Sequence, residues 1–377
     1  MRDVENILLG ATKELSPDDK NLLKAAKDGD LASVKTLLEQ GADIESRDRY
    51  GETPLFLAVT PENKEVLNFL LAAGASVNVR NSSGQTPLHG AFSGETVQQL
   101  LAWGADIEAR DNCGNTPLFL ACYNADLEIL KVFLDAGACV NARSDSGRTP
   151  LHMAGSGEVA KELLARGADI DAKDINKVTP LIHSISRNDR LEVFKVLLAA
   201  GANIDAADKY KLTSLHYAAS ENYYDLEYLK LLLSEGANLE ARQDGTQWTP
   251  LHLAAKSGSG KKVQLLVSEG ANCKARDWHR DTPLSFAKGR IRNLKALLAE
   301  TGRFDNINRD NEPDNFQPQS LKVYARASIR SRLVAHSKET RQPLSKSVPL
   351  LPLGKPKPSE PPLNDYVYEP LMGKLIF

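Results

Sequence analysis

Four histidines occupy one sequence slot: "TPLH" ends at His89, His152 and His252, and "TSLH" ends at His216. That many imidazoles could ligate a metal or move protons. Their placement argues against both. Each lies in a separate copy of a recurring segment, so neighbouring histidines are a whole copy apart and do not converge on one ion. Phe56 and Phe119 fill the same slot in two other copies, which a catalytic role would not tolerate. Cys273 and His279, with Asp277 between them, offer a nucleophile and its base, or half a zinc site. They share one copy and have no second Cys/His pair nearby. The chain holds no GxxxxGK[ST], GxSxG, HExxH or GxGxxG pattern. These residues predict a chain that is not an enzyme and needs no metal or cofactor.

The copies carrying these side chains dominate the sequence. "GETPLFLA" at Gly51 returns as "GQTPLHGA" at Gly84, "GNTPLFLA" at Gly114, "GRTPLHMA" at Gly147 and "QWTPLHLA" at Gln247. Weaker copies start at Lys177, Lys211 and Arg280. The threonines recur at spacings of 33, 30, 33, 30, 34, 36 and 33 residues. A Gly-Ala pair answers each copy, from Gly41-Ala42 to Gly270-Ala271, and usually continues as "DIEARD" or a variant. Thr caps a helix and Pro fits its first position, so Thr-Pro predicts a helix start. An amphipathic stretch such as Lys64–Ala73 predicts a second helix, ended by Gly74 in the left-handed conformation. The alternating "DIEARD" stretch predicts a short extended finger.

A period near 33 with Thr-Pro-Leu-His-x-Ala resembles the ankyrin repeat over residues 18–310. The resemblance implies an all-α ankyrin-repeat solenoid of nine helix-turn-helix repeats with short hairpin fingers. It also implies that the slot histidine is a structural residue tying neighbouring repeats together. The copy from Asn21 lacks Thr-Pro-Leu and reads as an N-terminal cap, and the copy from Arg280, with Gly302-Arg303 in place of Gly-Ala, reads as a C-terminal one. Residues 1–17 precede the array. The copies at Gly84 and Gly147 are three residues short between their helices, which predicts a shortened first helix or a tighter turn.

Fingers and first helices of stacked repeats offer a surface to a partner. Trp, Tyr and Arg, the side chains most enriched at binding hot spots, concentrate at the finger tips of both ends of the array. The expected target contacts are Arg49 and Tyr50 at one end and Tyr210, Trp248, Trp278 and Arg280 at the other. The competing expectation is that Trp248 and Trp278 pack against adjacent fingers.

Composition frames these features. The 377 residues are 42% hydrophobic and 25% charged, with a net charge of −2, so nothing drives the chain onto nucleic acid or anionic membrane. No apolar run approaches the roughly 18 residues a membrane span needs, and the first residues lack a secretory signal's apolar core. Cys113, Cys122, Cys139 and Cys273 form no CxxC pair and predict free, buried or half-buried thiols in a reducing compartment. These features predict a cytoplasmic protein, with the nucleus as a second compartment. Charge is uneven: residues 311–377 carry +4 and residues 1–310 carry −6.

The basic tail changes character. Residues 311–319 form a Pro-bearing linker, and ten of the nineteen prolines fall between 311 and 377. Ser320–His336 is proline-free, with Leu321, Ala325, Ile329 and Leu333 four apart on one helical stripe, widened by Tyr324. This stretch resembles the Elongin-binding box that opens a SOCS box, with Ala325 where Cys is usual. The resemblance covers residues 320–370 and implies a small helical region that inserts Leu321, Tyr324, Ala325, Ile329 and Leu333 into Elongin C, the partner of Elongin B. It also implies a cullin-binding element at Leu351, Pro352, Leu353, Leu363 and Tyr366. Gly354 stands at a usual proline, and the two halves are further apart than in that family. Ankyrin arrays followed by such a box form a family of substrate receptors for cullin–Elongin ubiquitin ligases. The expected function is therefore a ligase adaptor whose array holds an unidentified target protein. The alternative is a plain ankyrin scaffold or inhibitor, whose tail helix caps the last repeat.

Overall fold

The computed structural model describes residues 15–185, 190–220 and 226–286. The chain divides into two compact units, one ending at Ile175 and the other starting at Asn176. Among the described residues all regular elements are helical, with one isolated antiparallel bridge between Ala207 and Thr213. No helix among them is long and apolar enough to cross a membrane.

The first unit opens with helix Pro17–Asp28, one residue ahead of the expected edge of the array. Its start follows from a capping box. The Ser16 hydroxyl accepts the Asp19 N–H, and the Asp19 carboxylate accepts the Ser16 N–H. Helix Leu31–Glu39 completes this first pair. The next pairs are Pro54–Leu57 with Lys64–Ala72, Pro87–Gly90 with Gly94–Ala102, Pro117–Asn124 with Leu127–Asp135, and Pro150–Met153 with Gly157–Ala165. In the second unit the pairs are Pro180–Ile185 with Leu191–Ala199, Ser214–Ser220 with Leu226–Ser234, and Pro250–Ser257 with Gly260–Ser268. Helix Pro283–Phe286 begins a further copy.

Thr-Pro does start these helices. At Thr53 and Thr116 the hydroxyl accepts the N–H three residues on, from Phe56 and Phe119, at 3.4 Å each. The Leu that follows is buried in every full copy: Leu55, Leu88, Leu118, Leu151, Leu181, Leu215 and Leu251. Burial of one such side chain stabilises by about 1.5–3 kcal/mol, so the slot supplies an apolar contact at every repeat. The second helices end as predicted. Gly74 takes φ 91°, and the Ala75 N–H turns back to the Leu70 carbonyl at 3.0 Å. Leu70 and its counterparts four residues ahead of five later glycines, Leu100, Leu163, Leu197, Leu232 and Leu266, are fully buried.

Both short copies lose their length from the first helix. Pro87–Gly90 is a single 3-10 turn and Pro150–Met153 a single α turn, against eight residues in Pro117–Asn124 and Pro250–Ser257. In each the chain then extends through Ala91 or Ala154 until a serine caps the next helix, Ser93 or Ser156. Sequence reading missed a third one-turn helix, Pro54–Leu57. Pro61 cannot continue it and opens a separate 3-10 turn, Pro61–Asn63.

The fingers are hairpin turns and form no sheet. Backbone bonds close them, such as Asp48 N–H to Glu52 O and Gly51 N–H to Asp48 O at 3.0 Å each, and Asp208 N–H to Leu212 O at 3.0 Å. In most of them an Asp or Asn side chain fills the turn: Asp48 Oδ1 accepts from the N–H of Tyr50 and Glu52, and Asp208 Oδ1 from those of Tyr210 and Leu212, whereas Ser144 and Gln243 take this place in two others.

Candidate functional site

The slot histidines serve packing. In His89, Nδ1 accepts the Thr86 backbone N–H at 3.1 Å and meets the Thr86 hydroxyl at 3.0 Å. An acceptor Nδ1 leaves the proton on Nε2, which donates to the Asn115 carbonyl of the next repeat at 3.1 Å. His216 repeats this with Thr213 and the Trp248 carbonyl, and His252 with Thr249 and the Asp281 carbonyl. His152 makes the same Nδ1 contacts with Thr149. Burial lowers the basicity of His89, His216 and His252, His216 most, to a pKa of about 4. The physical cause is the loss of water around the imidazolium; in addition, a protonated Nδ1 would face the Thr N–H donor to donor.

Asp277 is equally committed. Its Oδ1 accepts the N–H of His279 and Asp281 at 2.8 Å each, and its Oδ2 accepts Trp248 Nε1 at 2.8 Å. Of its neighbours, His279 is exposed and Cys273 half-buried. Among the described residues no three His, Cys, Asp or Glu side chains gather as a metal ion would require. All four thiols are free, and two depart from expectation: Cys113 and Cys139 are exposed, because finger positions face water. Cys122 is buried, which pushes its thiol well above the ordinary range.

The expected target residues divide into tip and core. Arg49 and Tyr50 stand on the first finger of the first unit, Tyr50 53% exposed with the Arg49 guanidinium 4.6 Å from its ring centre. In the second unit, Tyr210 is 53% exposed, Arg280 is exposed and Trp278 is half-buried. Trp248 is the correction. It is 8% exposed, and its ring meets Phe286 edge-on at 5.1 Å under the ammonium of Lys256. The competing expectation holds for this residue, because its indole N–H finds the buried Asp277 carboxylate one finger on. The proposed Elongin contacts Leu321, Tyr324, Ala325, Ile329 and Leu333, and the proposed cullin contacts Leu351, Pro352, Leu353, Leu363 and Tyr366, lie outside the described residues.

Consecutive tips within a unit are joined by one backbone bond each. Ser82 N–H donates to Tyr50 O and Asn112 N–H to Ser83 O in the first unit; Lys209 N–H donates to Asn176 O, Asp244 N–H to Tyr210 O and Trp278 N–H to Thr246 O in the second. An arginine ladder reinforces the first unit: Arg47 donates to the Arg80 carbonyl and Arg110 to the Arg143 carbonyl, at 2.7 Å each.

The tips of the two units differ at one position, two residues before each Thr. The first unit has Gly51, Gly84, Gly114 and Gly147 there, at φ 73–75°. The second has Lys177, Lys211, Gln247 and Arg280, at φ 59–66°. Sequence reading missed this, although the substitutions are visible in the weaker copies. An L-residue in this conformation costs about 1–2 kcal/mol. At Gly84 a Cβ would also come within 2.8 Å of the Asn112 backbone nitrogen. Gly84→Ala is therefore expected to lower stability by about 1–3 kcal/mol in urea unfolding, whereas Lys211→Gly leaves it unchanged or raises it by up to about 1 kcal/mol.

Paired helices with bonded finger tips define a class, the repeat scaffold that presents side chains along a row of turns. The chain belongs to the ankyrin-repeat family: the profile "Ankyrin repeats (3 copies)" matches residues 22–111, 90–174, 155–243 and 215–310. Among curated proteins it is similar to the 2-5A-dependent ribonuclease of Mus musculus, 39% identical over 64 residues, or 17% of this chain and 9% of that protein. It is also similar to "Ankyrin repeat, SAM and basic leucine zipper domain-containing protein 1" of Mus musculus, 41% identical over 61 residues, or 16% of this chain and 13% of that one. The matched stretch thus spans 9–13% of these relatives' lengths. Repeats of this family imply protein partners, so the chain is a protein-interaction scaffold in that general sense.

Proposed function

We propose that the chain is a substrate-recognition adaptor of a cullin–Elongin BC ubiquitin ligase, itself without catalytic activity. The ankyrin array holds a target protein through its finger tips, with Arg49, Tyr50, Tyr210, Trp278 and Arg280 as contacts. The stripe Leu321, Tyr324, Ala325, Ile329 and Leu333 docks into Elongin C, and the Leu351-Pro352-Leu353 segment with Leu363 and Tyr366 selects a cullin. Other subunits carry out ubiquitin transfer, and the adaptor supplies effective concentration. One observation carries the reading: an ankyrin array is followed in the same chain by a proline-free basic stretch with apolar residues four apart.

The test is Leu321→Asp in the full chain, followed by pull-down with co-expressed Elongin B and C. A carboxylate in an apolar groove is expected to abolish capture while the array unfolds at its usual temperature. Undiminished capture rejects the adaptor reading. A marked loss of thermal stability instead favours a tail helix that caps the array.

A further inference from the structure

Lys177, Lys211, Gln247 and Arg280 hold a backbone conformation that favours glycine, yet glycine fills the same place in four tips of the first unit. Lys177, Lys211 and Arg280 are exposed, so their side chains do not repay the strain by burial. Strain retained in consecutive turns points to what those side chains do in solvent.

Charge gives that role a sign. Lys209 adds another exposed cation and places its ammonium 4.9 Å from the Tyr210 ring centre. The acidic residues that shape these turns are withdrawn: Asp208 is 5% and Asp277 1% exposed, each occupied by N–H groups of its own turn. Within the turns 208–212, 243–248 and 277–281, Asp244 is the one exposed carboxylate, and it pairs with Lys211 at 2.7 Å. Because single backbone bonds join Lys209 to Asn176, Asp244 to Tyr210 and Trp278 to Thr246, these cations follow one another along a row of tips. Tyr210 and Trp278 interleave aromatic surface among them.

We propose that the tips of the second unit, where Lys177, Lys211 and Arg280 line up beside Lys209 and Tyr210, dock an acidic segment of a partner protein. This rests on the reading that the finger tips meet the target, and it names the target's chemistry. Carboxylates replace Asp244 on Lys211 and pair with the neighbouring cations, while apolar side chains of the same segment pack on Tyr210 and Trp278. A nucleic acid fits less well, because the exposed Asp244 carboxylate stands within the row and the chain carries a net charge of −2.

The test uses the full chain and three fluorescent probes of equal length: a peptide of alternating Glu and Leu, its Lys and Leu counterpart, and a single-stranded oligonucleotide. The acidic peptide is expected to bind, more weakly as salt rises, and the basic peptide not to bind. The triple variant Lys177→Gly, Lys211→Gly and Arg280→Gly keeps or raises the melting temperature and weakens the acidic peptide about tenfold. Leu321→Asp leaves peptide binding unchanged, and the triple variant still captures Elongin B and C, so a failure of the adaptor reading is distinguishable from a failure here. Absence of binding, equal binding by the triple variant, or tighter binding of the oligonucleotide overturns the proposal.

Discussion

Trp248→Ala is expected to lower the unfolding free energy of the second unit by about 3–5 kcal/mol, the usual range for a deleted core indole. Three contacts of the buried ring are lost together: the edge-on stack on Phe286 at 5.1 Å, the ammonium of Lys256 4.3 Å from its ring, and the bond from Nε1 to Asp277 at 2.8 Å. The last makes the loss more than a cavity. Asp277 Oδ1 keeps its two backbone donors, but Oδ2 faces a void in a residue that is 1% exposed. Leaving such an acceptor unpaired costs about 1–3 kcal/mol by itself. Trp248→Phe separates the contributions in part: it keeps an aromatic ring against Phe286 while losing the N–H and some ring volume, for about 1–3 kcal/mol. Urea unfolding followed by far-ultraviolet circular dichroism measures both. A cost below about 1 kcal/mol for the alanine variant would show that the indole lies at the surface after all.

The second large effect is acid sensitivity built on His216. Its native pKa is depressed to about 4 from an ordinary value of 6.5, with burial as the leading cause. As pH falls, the unfolded chain takes up the proton first, so the native state loses ground. The contribution is complete above pH 6.5, declines through that window, and is gone near pH 4, where both states are protonated. Integrated over that window the loss is about 3 kcal/mol. His89 and His252 shift in the same direction for the same reason and steepen the decline. The control is His216→Phe, since Phe56 and Phe119 already stand in this slot, with the Thr hydroxyl still capping the helix. At pH 7 the variant loses about 1 kcal/mol, from the bond to the Trp248 carbonyl. Between pH 7 and 4.5 its stability falls less than that of the natural chain by most of the His216 share. Carboxylate titration is common to both proteins and cancels in the difference. Parallel pH profiles of the two would remove His216 as the cause.

Most of the repeat was legible in the sequence, because its rules are local. Thr-Pro starts a helix through a cap three residues away, Gly74 ends one by its own backbone freedom, and the missing three residues shorten the helix that contained them. The structural role of His89, His152, His216 and His252 was also visible, through the resemblance to the ankyrin repeat, in which the slot histidine ties neighbouring repeats together.

What only the tertiary structure decided lies between repeats. Trp248 and Trp278 read alike as exposed aromatics on finger tips, yet one is core and the other half-exposed, because the partner that draws Trp248 inward is 29 residues further on. The His216 proton is fixed by a carbonyl 32 residues away. The cationic tips of the second unit acquire meaning only once Lys177, Lys211, Gln247 and Arg280 are seen to hold the glycine conformation in successive turns. Local propensity acts over three or four residues and repeats identically in each copy. Burial, charge exposure and proton position depend instead on the neighbouring copy, a whole repeat away, whose side chains differ from one interface to the next.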